Sequence, residues 1–132
     1  MTEQRISIEY PLQTTSPNII WGLISNAAGL QKWIADTVTE NGDEMVFTWG
    51  QPWTERDTKI STILSKEKHH YIRLRWDYHV SEEAYWELRI EKSELTGNLT
   101  LLITDYCMPD EVDDLHGLWE KDLERLHNAS GL

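Results

Sequence analysis

Between residues 70 and 107 the chain alternates apolar and polar side chains with period two, three times in succession, and only short polar turns interrupt it. In residues 70–79, Ile72, Leu74, Trp76 and Tyr78 point one way and Tyr71, Arg73, Arg75 and Asp77 the other. After Ser81-Glu82-Glu83, residues 84–92 set Trp86, Leu88 and Ile90 against Tyr85, Glu87, Arg89 and Glu91. After Thr96-Gly97-Asn98, residues 99–107 set Leu99, Leu101, Ile103 and Asp105 against Thr100, Leu102, Thr104 and Tyr106. A period of two is that of a strand with one buried face. Turns this short join antiparallel neighbours, because a parallel pair needs a crossover of about a dozen residues or more. The pattern therefore argues against a βαβ fold.

The rest of the chain fits the same plan. Residues 4–12 alternate Ile6, Ile8, Tyr10 and Leu12 with Arg5, Ser7 and Glu9, which predicts a first strand. Ser16-Pro17 reads as an N-cap followed by Pro at the first helical position, and Ile19, Ile20, Leu23 and Ile24 form the apolar stripe of a short helix. Asn26 caps a second short helix carrying Leu30, Trp33 and Ile34, with Gly29 inside it. Strands are expected at 36–40 and 44–49 around Asn41-Gly42-Asp43, with Met45, Phe47 and Trp49 on one face. Gly50-Gln51-Pro52 breaks the run, and a polar strand at 54–65 ends in a turn at Lys66-Glu67-Lys68.

The last element is a long helix entered at Pro109-Asp110. Glu111, Asp113 and Asp114 place negative charge at the positive end of its dipole. Val112, Leu115, Trp119, Leu123 and Leu126 form one apolar stripe, flanked by Leu118 on one side and by His116 and His127 on the other. Such a stripe needs a sheet to lie on. The fold class is α+β: an antiparallel sheet whose concave face is closed by one long helix.

A length of 132 residues suits one domain, residues 1–132. Surface scaling predicts that roughly two-thirds of its accessible surface is buried on folding, so one core suffices without disulfide or metal. The charge of −11 lacks the basic face of a nucleic-acid binder and is repelled by anionic lipid, which argues against a membrane-surface role. It favours neutral or cationic ligands, or a basic protein partner. The single cysteine, Cys107, has no internal partner, and the charged N-terminus shows no signal-peptide pattern, so the expected compartment is the cytoplasm. Seven Trp, at positions 21, 33, 49, 53, 76, 86 and 119, either build the core or line a pocket for an apolar or aromatic ligand.

Four stretches in this order resemble a known superfamily. They are Ser16-Pro17-Asn18-Ile19-Ile20-Trp21-Gly22-Leu23-Ile24 with Gly29-Leu30-Gln31-Lys32-Trp33; Ile72-Arg73-Leu74-Arg75-Trp76; Gly97-Asn98-Leu99-Thr100-Leu101; and Leu118-Trp119-Glu120-Lys121-Asp122-Leu123-Glu124-Arg125-Leu126. Together they look like the START-like (Bet v 1-like) helix-grip fold, in the branch related to the C-terminal domain of the Hsp90 ATPase activator. The glycine usual after the late strand is replaced by Tyr106-Cys107-Met108. The resemblance implies a curved antiparallel sheet wrapped around the C-terminal helix, with two short helices after the first strand. It also implies a cavity between sheet and helix, in a superfamily whose members bind apolar molecules, act as aromatase/cyclases or serve as co-chaperone modules.

If that cavity exists, strand parity predicts its lining. Trp76, Tyr78, Trp86, Leu88, Leu101 and Ile103 would face inward with Trp49, Leu115 and Trp119 would face them from the helix, and Leu23 and Trp33 would close the mouth. The alternative is that these side chains fill the interior. Asp105 shares the inward parity, and a desolvated carboxyl there would orient a ligand hydroxyl or act as a general acid or base. His116, on the edge of the helix stripe, is the second candidate for such a role. Metal ligation is not expected: His69 and His70 point to opposite strand faces, and no Cys/His pair has zinc spacing. No motif calls for a cofactor. The leading expectation is a non-enzymatic domain binding a small apolar or aromatic ligand. A regulatory interaction module and an enzyme using Asp105 or His116 are the alternatives, and a monomer and a dimer both remain open.

Overall fold

A computed structural model describes residues 3–50, 55–79 and 81–132. The predicted break at Gln51-Pro52 and the tryptophan at 53 lie outside these residues. The element order is β1 (Gln4–Pro11), α1 (Pro17–Ile24), α2 (Ala27–Leu30), β2 (Thr37–Asn41), β3 (Glu44–Trp49), β4 (Asp57–Glu67), β5 (Tyr71–Trp76), β6 (Trp86–Lys92), β7 (Leu99–Cys107), a single 3-10 turn and α3 (Val112–Ser130). The strands form one curved sheet in the order β1-β7-β6-β5-β4-β3-β2, antiparallel throughout.

The first and last strands pair, Ile8 opposite Ile103, so β1 lies at one edge and β2 at the other. The two short helices carry the chain between those edges. Ser16 occupies the N-cap of α1, but its side chain makes no capping bond. Asn26 does cap α2, its Oδ1 accepting the Gly29 N–H at 2.8 Å. Gly29 is required there: a Cβ would lie 2.0 Å from the carbonyl oxygen of Gly22. The helices meet backbone to backbone, closer than any side chain permits.

The alternation predicts the buried face correctly. Ile6, Met45, Phe47, Ile72, Leu74, Trp76, Trp86, Leu88, Leu101 and Ile103 are buried. Trp119, Leu123 and Leu126 of α3 are buried with them. The helix ends at Gly131, whose φ of 77° forms a left-handed cap and directs its N–H to the His127 carbonyl at 2.8 Å. Among the described residues, no helix is long and apolar enough to cross a membrane.

The second short helix stops at Leu30, so Trp33 and Ile34 lie in the turn after it, and strand ends differ from the expectation most in β4 and β5. A β-bulge between Ile63 and Ser65 turns Leu64 outward, half exposed, and shifts the register. Pairing then continues to Glu67 opposite Tyr71, so the turn is Lys68-His69-His70 rather than Lys66-Glu67-Lys68, with His69 left-handed at φ 68°. Strand β5 stops at Trp76, not at 79, because the chain folds back on itself. The His79 N–H bonds the Trp76 carbonyl at 3.1 Å, and the Trp76 N–H donates to His79 Nδ1 at 3.1 Å.

On the convex face, Glu87 is buried between two arginines. Arg73 donates to its Oε1 through Nε and Nη2, at 3.0 and 2.8 Å, and Arg89 Nε donates to Oε2 at 3.1 Å. Arg73 also lies over the Tyr85 ring and Arg89 over the Tyr71 ring, 4.3 and 4.5 Å from the centroids.

Candidate functional site

The centre of the molecule is packed with aromatic rings. Trp86, fully buried, stacks on Trp76 with centroids 5.0 Å apart and planes 8° apart. Phe47 meets both edge-on, at 5.0 Å from Trp76 and 5.8 Å from Trp86. Trp119 closes the group from α3 at 6.0 Å from Trp86 and 6.2 Å from Trp33. Trp86 Nε1 donates to Ser61 Oγ at 2.8 Å, Trp33 Nε1 to the Leu23 carbonyl at 2.9 Å and Trp49 Nε1 to the Ile34 carbonyl at 2.9 Å. Trp76 and Trp86 are in ring contact, so no cavity separates these two.

Beside that packed centre lies a cleft of about 320 Å³, between the β3–β4–β5 side of the sheet and α3. Trp49, Trp76, Tyr78 and Trp119 form its aromatic walls; Ile34, Leu115 and Leu118 add aliphatic surface. Asp57, Lys59, Asp105, Lys121, Asp122 and Arg125 bring charge to it. Of the side chains expected at a cavity, the structure brings Trp49, Trp76, Tyr78, Asp105, Leu115 and Trp119 together here. Leu23, Trp33, Trp86, Leu88, Leu101 and Ile103 lie in the packed core instead, and His116 sits half-buried on α3 away from the lining. Tyr78 reaches the cleft from a turn rather than a strand. It is 52% exposed, and its ring stacks on Trp76 at 5.8 Å.

Asp105 is the polar floor. It is 3% exposed and reads inward from β7, as its parity predicts. Its Oδ2 accepts Trp119 Nε1–H at 3.0 Å and its Oδ1 accepts the Tyr106 N–H at 2.8 Å. Burial pushes the carboxyl up to about 7, against the lowering effect of those two bonds. His79 Nε2 lies 3.9 Å from Oδ1, beyond hydrogen-bond reach, and has no partner. Because His79 Nδ1 accepts a backbone N–H, its proton resides on Nε2. Burial holds this imidazole below its ordinary value, so it faces Asp105 as a neutral donor and not as a counter-ion. Burial, and then Asp105, raise the Tyr78 hydroxyl above the usual phenol range, keeping it protonated.

A second carboxyl, Asp122, lies at the α3 side of the cleft. Burial raises it to about 7, with Arg125 opposing at 3.9 Å. Opposite, the Lys59 ammonium lies over two walls at once, 5.0 Å from the Tyr78 centroid and 5.6 Å from the Trp49 centroid. Sequence reasoning missed Asp57, Lys59, His79 and Asp122. Asp122 carried a signal, standing four residues after Leu118 and seven after Leu115 on one helix face. Lys59 shares parity with the buried Ser61, but a strand without apolar alternation does not reveal its inner face. Among the described residues, no three His, Cys, Asp or Glu side chains converge on a metal-sized site.

No curated protein matches the chain. Among solved structures, BfR322 from Bacteroides fragilis is 34% identical over 97% of this chain and 91% of its own, with a TM-score of 0.63. The Aha1 dimer from Colwellia psychrerythraea is similar at 13% identity and TM-score 0.71, covering 96% of both chains. A protein from Mesorhizobium loti is similar at 13% identity and TM-score 0.69, again over 96% of each. The model of the START-like superfamily domain matches residues 1–132. With the seven-stranded sheet and its long helix in place, the chain belongs to the START-like superfamily.

Proposed function

We propose that this protein holds a small apolar or aromatic molecule in the cleft between its sheet and α3, without transforming it. The observation that carries this reading is the cleft itself. Its volume of about 320 Å³ is at the lower end of ligand-sized pockets, and four aromatic walls surround one buried polar group. The packed tryptophan centre supplies a rigid wall on the sheet side, so the site is preformed. Asp105 retains the chemistry of a general acid or base, whereas His116 stands outside the lining.

Native and denaturing mass spectrometry of protein purified from cells tests the reading. The expected result is a retained mass of roughly 200–600 Da, on the scale such pockets admit. Leu115→Trp, which builds an indole into the cleft, should lose it. A protein that retains nothing, and that shows no calorimetric binding of soluble aromatic compounds, would overturn the proposal.

A further inference from the structure

We propose that the ligand carries a protonated amine, held with its apolar body between Trp76, Trp119 and Leu115 and its ammonium facing the Asp105 carboxylate. The inference rests on the cleft being a binding site and names the chemical class that the site takes. Asp105 is buried at the cleft floor with two donors on it, Trp119 Nε1–H and the Tyr106 N–H, both neutral. A carboxylate has room for about four hydrogen bonds. The imidazole of His79 presents a neutral N–H at 3.9 Å, and among the described residues no Lys or Arg forms an ion pair with Asp105. Without a cation beside it, burial favours the protonated form of Asp105; a ligand ammonium would supply the missing counter-ion and hold the group as a carboxylate.

The walls meet the same demand. Ring faces attract cations, and this protein already places one on them: the Lys59 ammonium rests over Tyr78 and Trp49 at the opening. The overall charge of −11 attracts an amine and repels an acid. Lys59, Lys121 and Arg125 stand at the same cleft and would receive a carboxylate ligand instead. They are nearer the solvent, Lys59 with 40% and Arg125 with 46% of the side chain exposed, and so weaker recognition elements than the buried acid.

Three probes of one shape separate these classes: 2-(1-naphthyl)ethylamine, 2-(1-naphthyl)ethanol and 1-naphthylacetate, each titrated calorimetrically into the intact protein at pH 8. The amine should bind at least tenfold more tightly than either of the others. Asp105→Asn should remove that preference while leaving the alcohol bound. Because this variant also disturbs the Trp119 bond, the unmodified protein provides a second reading. At pH 5.5, where Asp105 takes up a proton, the amine preference should shrink while alcohol binding holds, and it should shrink equally in Asp122→Asn, which removes the other cleft carboxyl that takes up a proton over the same range; Glu3, Tyr78, His79 and Cys107 are the other titratable groups facing Asp105. Lys59→Gln should tighten the amine and weaken the acid. Alcohol binding equal to amine binding would overturn this inference and leave the cleft reading standing, as would tightest binding of the acid. No binding of any probe would overturn this inference, and with no mass retained from cells it would overturn the cleft reading too.

Discussion

Trp119 of α3 donates its indole N–H to Asp105 of β7 at 3.0 Å, and this bond ties the C-terminal helix to the sheet at the floor of the cleft. It is a hydrogen bond to a buried group, so its loss leaves Oδ2 without a donor while Oδ1 keeps the Tyr106 N–H. Trp119→Phe keeps most of the ring and removes the donor. The bond favours the ionised form of Asp105, so the variant carboxyl titrates higher than the native one. At pH 8 the variant should lose about 2 kcal/mol, and clearly less at pH 5, where Asp105 is already protonated. Urea unfolding at the two pH values measures both; equal losses would show that the indole acts only through packing.

Asp122 predicts a change of opposite sign. Its folded-state carboxyl titrates at about 7. An unfolded Asp titrates at about 3.9. Between those values the folded protein holds the proton more tightly, so the native chain loses stability as pH rises from about 4 to about 7. Asn cannot ionise. Asp122→Asn should therefore be more stable than the native protein by about 1–3 kcal/mol above pH 7, with the difference vanishing by about pH 4. Thermal melts at pH 4 and pH 8 check it. A variant destabilised at pH 8 would mean that the Arg125 pair outweighs desolvation.

Alternation made the sheet legible because each strand buries one face: Leu74, Trp86 and Ile103 could be placed inside from parity alone. Parity says nothing of distance, so it could not tell that Trp76 and Trp86 stack at 5.0 Å and leave the cavity beside them rather than between them. The bulge at Leu64 has no local signature, since it arises from pairing with β5. The cleft was half legible for the same reason. Its apolar members follow the periodicity, whereas Lys59 and Asp57 sit on a strand whose inward face is polar. His79 acts through a turn that only the folded chain reveals.

Gly29→Ala separates intrinsic propensity from tertiary contact. Within a helix, Ala is preferred to Gly by about 1 kcal/mol. Here the new Cβ would meet the Gly22 carbonyl oxygen at 2.0 Å, and a backbone atom cannot swing aside. The clash should win, destabilising the fold by about 2–3 kcal/mol through separation of α1 from α2. A melting temperature at or above that of the native protein would show that the helices do not meet this closely in solution.

Glu87 tests the convex face independently of the cleft. Burial alone would raise its carboxyl, but hydrogen bonds from Arg89 and Arg73 overcome that effect and hold it below the ordinary carboxylate range. The sign therefore reverses that of Asp122: the stabilisation is present above the unfolded value of about 4.3 and is lost as pH falls through the folded one. Glu87→Gln keeps the shape but offers one oxygen where two served, and its amide would face an arginine N–H, donor against donor. Arg73 and Arg89 would remain on the tyrosine rings, so part of the network survives. The variant should lose about 2 kcal/mol at pH 7, and the gap should close below pH 4 as the native carboxylate is neutralised. Naphthylethylamine binding should be unaffected, because the sheet separates this face from the cleft. A stability gap that persists unchanged at pH 3 would assign the cost to packing rather than to the ionised carboxylate.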